Sequence, residues 1–304
     1  MGGGLQFHLG KIPVRIQATF FVMAAVLGLN GTNLISDASW IVVVLVSVLI
    51  HELGHAGVGM LFGLEPRIDL HAMGGTTSWA NHLPLSHGKR IAISLAGPFA
   101  GFAFGAVAFT LAMLGAFPHN EMGDMVHAQL LYVNIGWGAV NLLPMLPLDG
   151  GNVMTQVLHI MTGGRGERPA RIVSIAIAVL LIPLAIRLSW GLWGMLLIFS
   201  FLASNWRGLQ ELTAREHDAP MRASLEKAQA ALDAKDAARV LEFARPVALA
   251  ARTAQVKAEA LHLVAFGFLL EGRVADADAA IAALPRGYAP HPQLMALREV
   301  AARQ

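Results

Sequence analysis

Cysteine is absent from the 304 residues. That absence excludes a disulfide framework, a thiolate zinc site, an iron–sulfur cluster and a cysteine nucleophile, and leaves His and carboxylate to hold any metal. Charge is scarce as well: 14% of the residues are Asp, Glu, Lys or Arg, against about 25% in an ordinary soluble domain. The two signs nearly cancel, to a net charge of +2, so there is no basic surface on which to expect nucleic acid. In place of charge the chain carries 55% apolar residues, a composition that points to the membrane.

The scarcity is uneven. Residues 1–210 hold 18 charged side chains, whereas the 94 residues of 211–304 hold 24. The first segment is expected to sit in lipid and the second, 211–304, in water. Six apolar stretches approach or exceed the roughly 18–20 residues needed to cross a bilayer: about 16–35, 39–63, 91–117, 126–147, 172–188 and 190–206. The first follows Lys11 and Arg15 with no small-residue cleavage site behind it, and is expected to be retained as a helix. The last two are short and joined by Arg187, Leu188 and Ser189, as a tight hairpin would be.

Basic residues set the orientation, because cytoplasmic loops are enriched in them. Lys11 and Arg15 precede the first span, Arg67, Lys89 and Arg90 lie between the second and third, and Arg165, Arg168 and Arg171 between the fourth and fifth. The opposite loops hold Asp37, Glu121 and Asp124. A multi-pass protein of the cell membrane with both termini in the cytoplasm is expected.

Within the second span lies His51-Glu52-Leu53-Gly54-His55. On a helix, residues i and i+4 share a face, so both imidazoles can reach one ion, and Glu52 sits beside them to take a proton from metal-bound water. Zinc suits the set, with a third protein ligand and an open position for water. Three ionisable groups within five residues of a span are costly unless they pair or bind something; a polar patch lining a pore or proton path is the other reading. The apolar run Val42–Ile50 before the motif excludes a soluble enzyme.

Asp149 fits as third ligand, at the end of the run Asn141-Leu142-Leu143-Pro144-Met145-Leu146-Pro147-Leu148-Asp149-Gly150-Gly151. Two prolines remove backbone donors and two glycines permit unusual dihedrals, so Asp149 is expected on unwound chain. Such backbone is tolerated at membrane depth only within protein or beside a watery cavity. Taken alone, the segment also reads as a helix end with Asp in a turn. Between the second and third spans, Ile68, Leu70 and Ala72 alternate with Arg67, Asp69 and His71, and Gly74-Gly75 can turn the chain. This is either a surface loop or a strand pair whose free edge could accept an extended peptide.

HELGH in a second span, followed about a hundred residues later by NLLPMLPLDGG, resembles the site-2 protease family of intramembrane zinc metalloproteases. The resemblance covers roughly residues 5–205. It implies an all-α polytopic fold with a small hairpin after the second helix, and one zinc ion per chain held by His51, His55 and Asp149. It implies Glu52 as general base and cleavage of transmembrane substrate proteins in regulated intramembrane proteolysis. Asn141 is implied near the substrate backbone, though as a residue it reads equally as an interhelical hydrogen bond. A substrate helix must unwind before cleavage, and the Ile68–Ala72 edge is the expected place for the unwound stretch.

Ser94-Leu95-Ala96-Gly97-Pro98-Phe99-Ala100-Gly101, continued by Gly105, is expected to let a neighbouring helix approach closely and to have no catalytic part. His71, His82, His87 and His159 are irregularly spaced and read as solvated or substrate-contacting side chains. From Ala219 onward, Ala-rich patterns suggest two tetratricopeptide-like helical hairpins, with turns near Lys235-Asp236 and at Gly272. This tail is either a module for a cytoplasmic protein partner or for another copy of the chain, or a solubilising appendage. The competing functions are a non-proteolytic membrane chaperone or adaptor that binds helices, and a cation transporter, for which the outer half of the bundle offers little polar path.

Overall fold

The computed structural model describes residues 4–28, 34–118, 120–188 and 191–301. It divides into two compact units, Met1–Trp206 and Arg207–Gln304. The N-terminal unit opens with two strands, β1 (Gly4–Leu9) and β2 (Ile12–Gln17), antiparallel across a turn in which Gly10 takes φ +60°. β2 alternates strictly, burying Ile12, Val14 and Ile16. Helices α1 (Ala18–Gly28) and α2 (Leu34–Leu61) follow, then β3 (Pro66–His71) and β4 (Gly74–Trp79). The four strands form one sheet in the order β1-β2-β3-β4, with β2 parallel to β3 and β3 antiparallel to β4. Ile12, Val14, Ile16, Ile68 and Leu70 pack with Ala56 and Phe20 into a core against α2.

Two expectations change here. The strand pair over 65–79 turns at Ala72–Met73, and Gly74, at φ +107°, already belongs to β4, paired with His71. The sheet also has twice the expected number of strands. The stretch Ile68 to Ala72 is therefore no free edge: β3 is bonded on both sides, Ile68 and Leu70 are 0% exposed, and Ala72 lies in the turn. Among the described residues the sheet edges are β1 and β4.

The unit continues with α3 (His87–Met113), capped by the Ser86 hydroxyl, and α4 (Glu121–Leu131), capped by Asn120. A π-helical turn (Tyr132–Trp137) leads to the short α5 (Gly138–Asn141). After an irregular loop come α6 (Asp149–Thr162), α7 (Glu167–Arg187) and α8 (Gly191–Asp218), whose residues from Arg207 on are counted with the C-terminal unit. Three helical segments among the described residues are long and apolar enough to cross a bilayer: Ile35–Leu61, His87–Met113 and Glu167–Arg187. They correspond to the second, third and fifth expected stretches. The first expected stretch, 16–35, begins in β2 and contains the 11-residue α1; its residues 29–33 lie outside the described set, as do Ser189 and Trp190 at the fifth-to-sixth connection. The fourth is assembled from α4, the π turn and α5, and the sixth falls in the first half of α8.

The C-terminal unit is helical throughout its regular elements. α9 (Arg222–Asp233), α10 (Ala237–Ala250), α11 (Ala254–Leu270), α12 (Val274–Ala282) and α13 (Pro292–Ala301) pack as successive hairpins around α11. Their core joins Leu225, Val240, Val247, Leu261, Val264, Phe268 and Leu294. Lys235 at φ +55° and Gly272 at φ +74° make the α9–α10 and α11–α12 turns.

Candidate metal centre

The centre is assembled from three helices and one strand. α2 supplies His51 and His55 about one turn apart, with Glu52 next to His51. The irregular loop 142–148 supplies the approach to Asp149, which is not itself on unwound chain as expected but is the first residue of α6. Asp149 Oδ2 lies 3.1 Å from His51 Nε2, and Asp149 Oδ1 lies 3.4 Å from His55 Nε2. The two Nε2 atoms are 3.1 Å apart. One ligand atom from each residue falls within 4.8 Å of the others, which makes a group able to hold a metal ion. Two imidazole nitrogens and a carboxylate oxygen are a set that zinc accepts, with the fourth position left for water.

The neighbours hold these ligands in place. His55 Nδ1 donates to the Ile93 carbonyl of α3 at 2.6 Å, so its Nε2 keeps the lone pair that a metal needs. α3 lies close to α2 because both carry glycine there. A Cβ on Gly54 would come 2.5 Å from the Ala96 carbonyl, and one on Gly97 would come 2.3 Å from His55 Nε2 and 2.7 Å from His51 Nε2. Gly97, expected to serve packing alone, therefore also leaves open the space beside both imidazoles. Gly105, by contrast, faces Ile135 and Asn134 and serves packing.

Asp149 is placed by its loop. Leu146 N–H donates to Ser174 Oγ of α7 at 2.9 Å, and Asn205 Nδ2 of α8 donates to the Leu146 carbonyl at 2.7 Å. Both polar side chains are fully buried. A Cβ on Gly150 would meet the Leu142 carbonyl at 2.1 Å, and one on Gly151 would meet Leu146 N at 2.4 Å. The paired glycines thus let the start of α6 lie directly on the loop that precedes it. Neither Ser174 nor Asn205 stands in a motif, and no signal in the sequence marks them.

β4 covers the centre. Its inward residues run along α2: Gly75 lies against the Glu52 carboxylate, Thr77 Oγ1 donates to Glu52 Oε2 at 2.6 Å, and Trp79 fills the space above Gly59. Glu52 is buried, at 5% exposure. Asn141 ends α5 half-buried, and no hydrogen bond of its side chain is found among the described residues. Three of the other histidines named from the sequence are engaged elsewhere. His71 bonds Thr76, and His87 bonds Gln156 and stacks on His159, which accepts from Gly166 N–H.

The model of peptidase family M50 matches residues 119–185, the segment that carries Asn141 and Asp149. Among curated proteins, a zinc metalloprotease of Methanocaldococcus jannaschii is 31% identical over 155 residues, 50% of this chain and 44% of that protein. Stage IV sporulation protein FB of Bacillus subtilis is 31% identical over 144 residues, 47% of this chain and 46% of that protein. The chain thus spans less than half the length of these curated relatives. Among solved structures, the site-2 protease from Methanocaldococcus jannaschii matches with a TM-score of 0.50 at 23% identity, over 68% of this chain and 95% of that one. That likeness speaks for the fold. Family model and relatives agree with the motifs in a likeness to the zinc metalloproteases of peptidase family M50, the solved structure adds a likeness of fold, and the matched family segment lies in the N-terminal unit.

Proposed function

We propose that this chain is a zinc-dependent intramembrane endopeptidase that hydrolyses peptide bonds of transmembrane proteins. The observation that carries the reading is the convergence of His51, His55 and Asp149 on one point in an apolar helix bundle, with buried Glu52 between the histidines in sequence. His51 Nε2, His55 Nε2 and an Asp149 oxygen would hold one zinc ion. When bound, zinc lowers the pKa of a coordinated water toward neutrality and polarises the scissile carbonyl. Glu52 takes the water proton and passes it to the leaving amine. Asn141 is assigned to the substrate backbone, where its amide would donate to the developing oxyanion.

The substrate strand is assigned to β4. A transmembrane helix satisfies its own backbone, so the stretch to be cut must unwind and find new partners. β4 is a sheet edge that lies on Glu52, whereas β3 has no bonding edge to offer. Addition of an extended segment to such an edge is an established mode of peptide recognition. In the proposed topology α1, the α4–α5 run and the first half of α8 complete six crossings, with both termini cytoplasmic. Residues 211–304 form a cytoplasmic tetratricopeptide-like attachment for a protein partner or a second copy.

A Glu52→Gln variant is expected to retain zinc and to lose cleavage of a co-expressed membrane substrate by at least about 100-fold. Comparison of the membrane proteome of cells carrying native and Glu52→Gln chains identifies that substrate as the protein that accumulates uncut. Cleavage undiminished in the variant would overturn the mechanism. A purified chain with neither zinc nor chelator-sensitive cleavage would favour a helix-binding adaptor.

A further inference from the structure

We propose that Thr77 is a positioning residue for Glu52: its hydroxyl fixes one carboxylate oxygen so that the other is presented for proton transfer. The inference rests on the proteolytic reading of the centre and adds a residue that neither motif contains.

A glutamate has three rotatable side-chain bonds, and a general base must hold its oxygen within hydrogen-bond reach of the proton it takes. Two features of β4 restrict Glu52. Thr77 Oγ1 donates its one proton, and of its two acceptors on residue 52 the carboxylate Oε2 at 2.6 Å is nearer than the backbone carbonyl at 3.2 Å. The shorter contact lies in the range of a charge-assisted O–H···O⁻ bond. On the other side, the space a Cβ of Gly75 would occupy is taken by the carboxylate, with Glu52 Oε1 2.4 Å from that position. Gly75 and Thr77 are two residues apart on one strand and so face the same way. Together they hold Oε2 by a bond and leave Oε1 beside bare backbone. Thr77 is opposite Ile68 in the register, and Ile68 is packed in the core under the sheet, so the strand that carries the hydroxyl is itself anchored.

A threonine in a strand needs no function, since its β-branched shape suits a pleated surface. The two conservative replacements separate shape from hydroxyl. Thr77→Val keeps the branched shape and removes the donor, whereas Thr77→Ser keeps the donor and removes the methyl group. In full-length protein with a cleaved membrane substrate, Thr77→Val is expected to lower kcat on the order of 10- to 100-fold with KM within about twofold of native and zinc content unchanged. Thr77→Ser is expected to restore kcat to within a few-fold of native. A kcat for Thr77→Val equal to native, or a Thr77→Ser variant as slow as Thr77→Val, would overturn the proposal.

A second measurement does not depend on turnover. Melting temperatures of the native chain, Thr77→Val, Glu52→Ala and the double variant form a cycle in which two residues in contact give non-additive shifts. Additive shifts would show that the hydroxyl does not hold the carboxylate, and would also overturn the proposal. If native and Glu52→Gln proteins both fail to cleave while the cycle remains non-additive, the proteolytic reading fails and the Thr77–Glu52 bond stands.

Discussion

A methyl group on residue 97 would lie 2.3 Å from His55 Nε2, closer than a non-bonded carbon can approach without displacement. Gly97→Ala puts one there. In an isolated helix the change would be favourable by about 1 kcal/mol, so the variant is expected to fold, and its effect falls on the imidazoles. Zinc affinity should drop at least about 10-fold, the scale typical of disturbed ligand supports. Metal analysis of the purified variant beside its melting curve checks this, and native zinc content in a folded Gly97→Ala protein would refute it. The case also marks what single residues disclose in a sequence. The meeting of His51 and His55 is legible because helical spacing alone brings i and i+4 together, whereas the prolines and glycines disclose the irregular loop 142–148 but not that Asp149 opens the helix after it. Gly97 is legible only as a small residue in a repeat of small residues. That it faces the imidazoles of His51 and His55 depends on the register of α3 against α2, which no local pattern encodes. Thr77 is hidden for the same reason, since its bond to Glu52 spans 25 positions.

At the scale of elements, the loop 142–148 is held by helices that follow it in the chain. Ser174 and Asn205 take the N–H and the carbonyl of one residue, Leu146, while Met145 and Leu148 pack with Ile198 and Phe201. The loop therefore depends on α7 and α8 for the placement of Asp149. Asn205→Leu keeps the branched outline of the side chain but leaves the Leu146 carbonyl without this donor, at a cost of about 1–3 kcal/mol. The expected result is weaker zinc binding, by about 10-fold, with the histidines intact. Titration of the metal-free protein with zinc measures it, and unchanged affinity would remove α8 from the support of the site. The sheet shows the opposite limit of sequence reading. Ile12, Val14 and Ile16 alternate as plainly as Ile68 and Leu70 do, and Gly10-Lys11 is a turn signal. The signal is local, but the apolar run that begins at Ile16 claims the end of the strand, Ile16 and Gln17, for a membrane helix. Parallel pairing of β2 with β3 joins segments more than fifty residues apart. It turns an expected edge into an interior strand and moves the accessible edge to β4.

Over the whole molecule, charge density changes near residue 210 and the compact units divide at Trp206, so a border legible in composition lies close to the border between the units. The C-terminal unit has its own buried charge. Asp218 is 2% exposed. Burial by itself would raise its carboxyl, but Arg252 N–H, the Thr253 hydroxyl, His217 and Thr253 N–H all bond it and hold it well below the usual carboxylate range. A carboxyl depressed in the folded state binds fewer protons there than in the unfolded chain, so its contribution is complete above the unfolded value near 4 and is lost as pH falls below it. Hydrogen exchange of the full-length protein, followed in peptides from α9 to α11, should therefore accelerate as the equilibration pH is lowered through 4, after correction for intrinsic rates. Asp218→Asn replaces one acceptor oxygen by a donor that faces N–H groups. It should destabilise the unit at neutral pH by about 2 kcal/mol and flatten the acid dependence. The two effects are coupled, because the same bonds that depress the carboxyl join the end of α8 to the α10–α11 turn within this unit. If Asp218→Asn exchanges as slowly as native at pH 7 and accelerates equally in acid, those bonds do not anchor the turn, and acid sensitivity arises elsewhere in the unit.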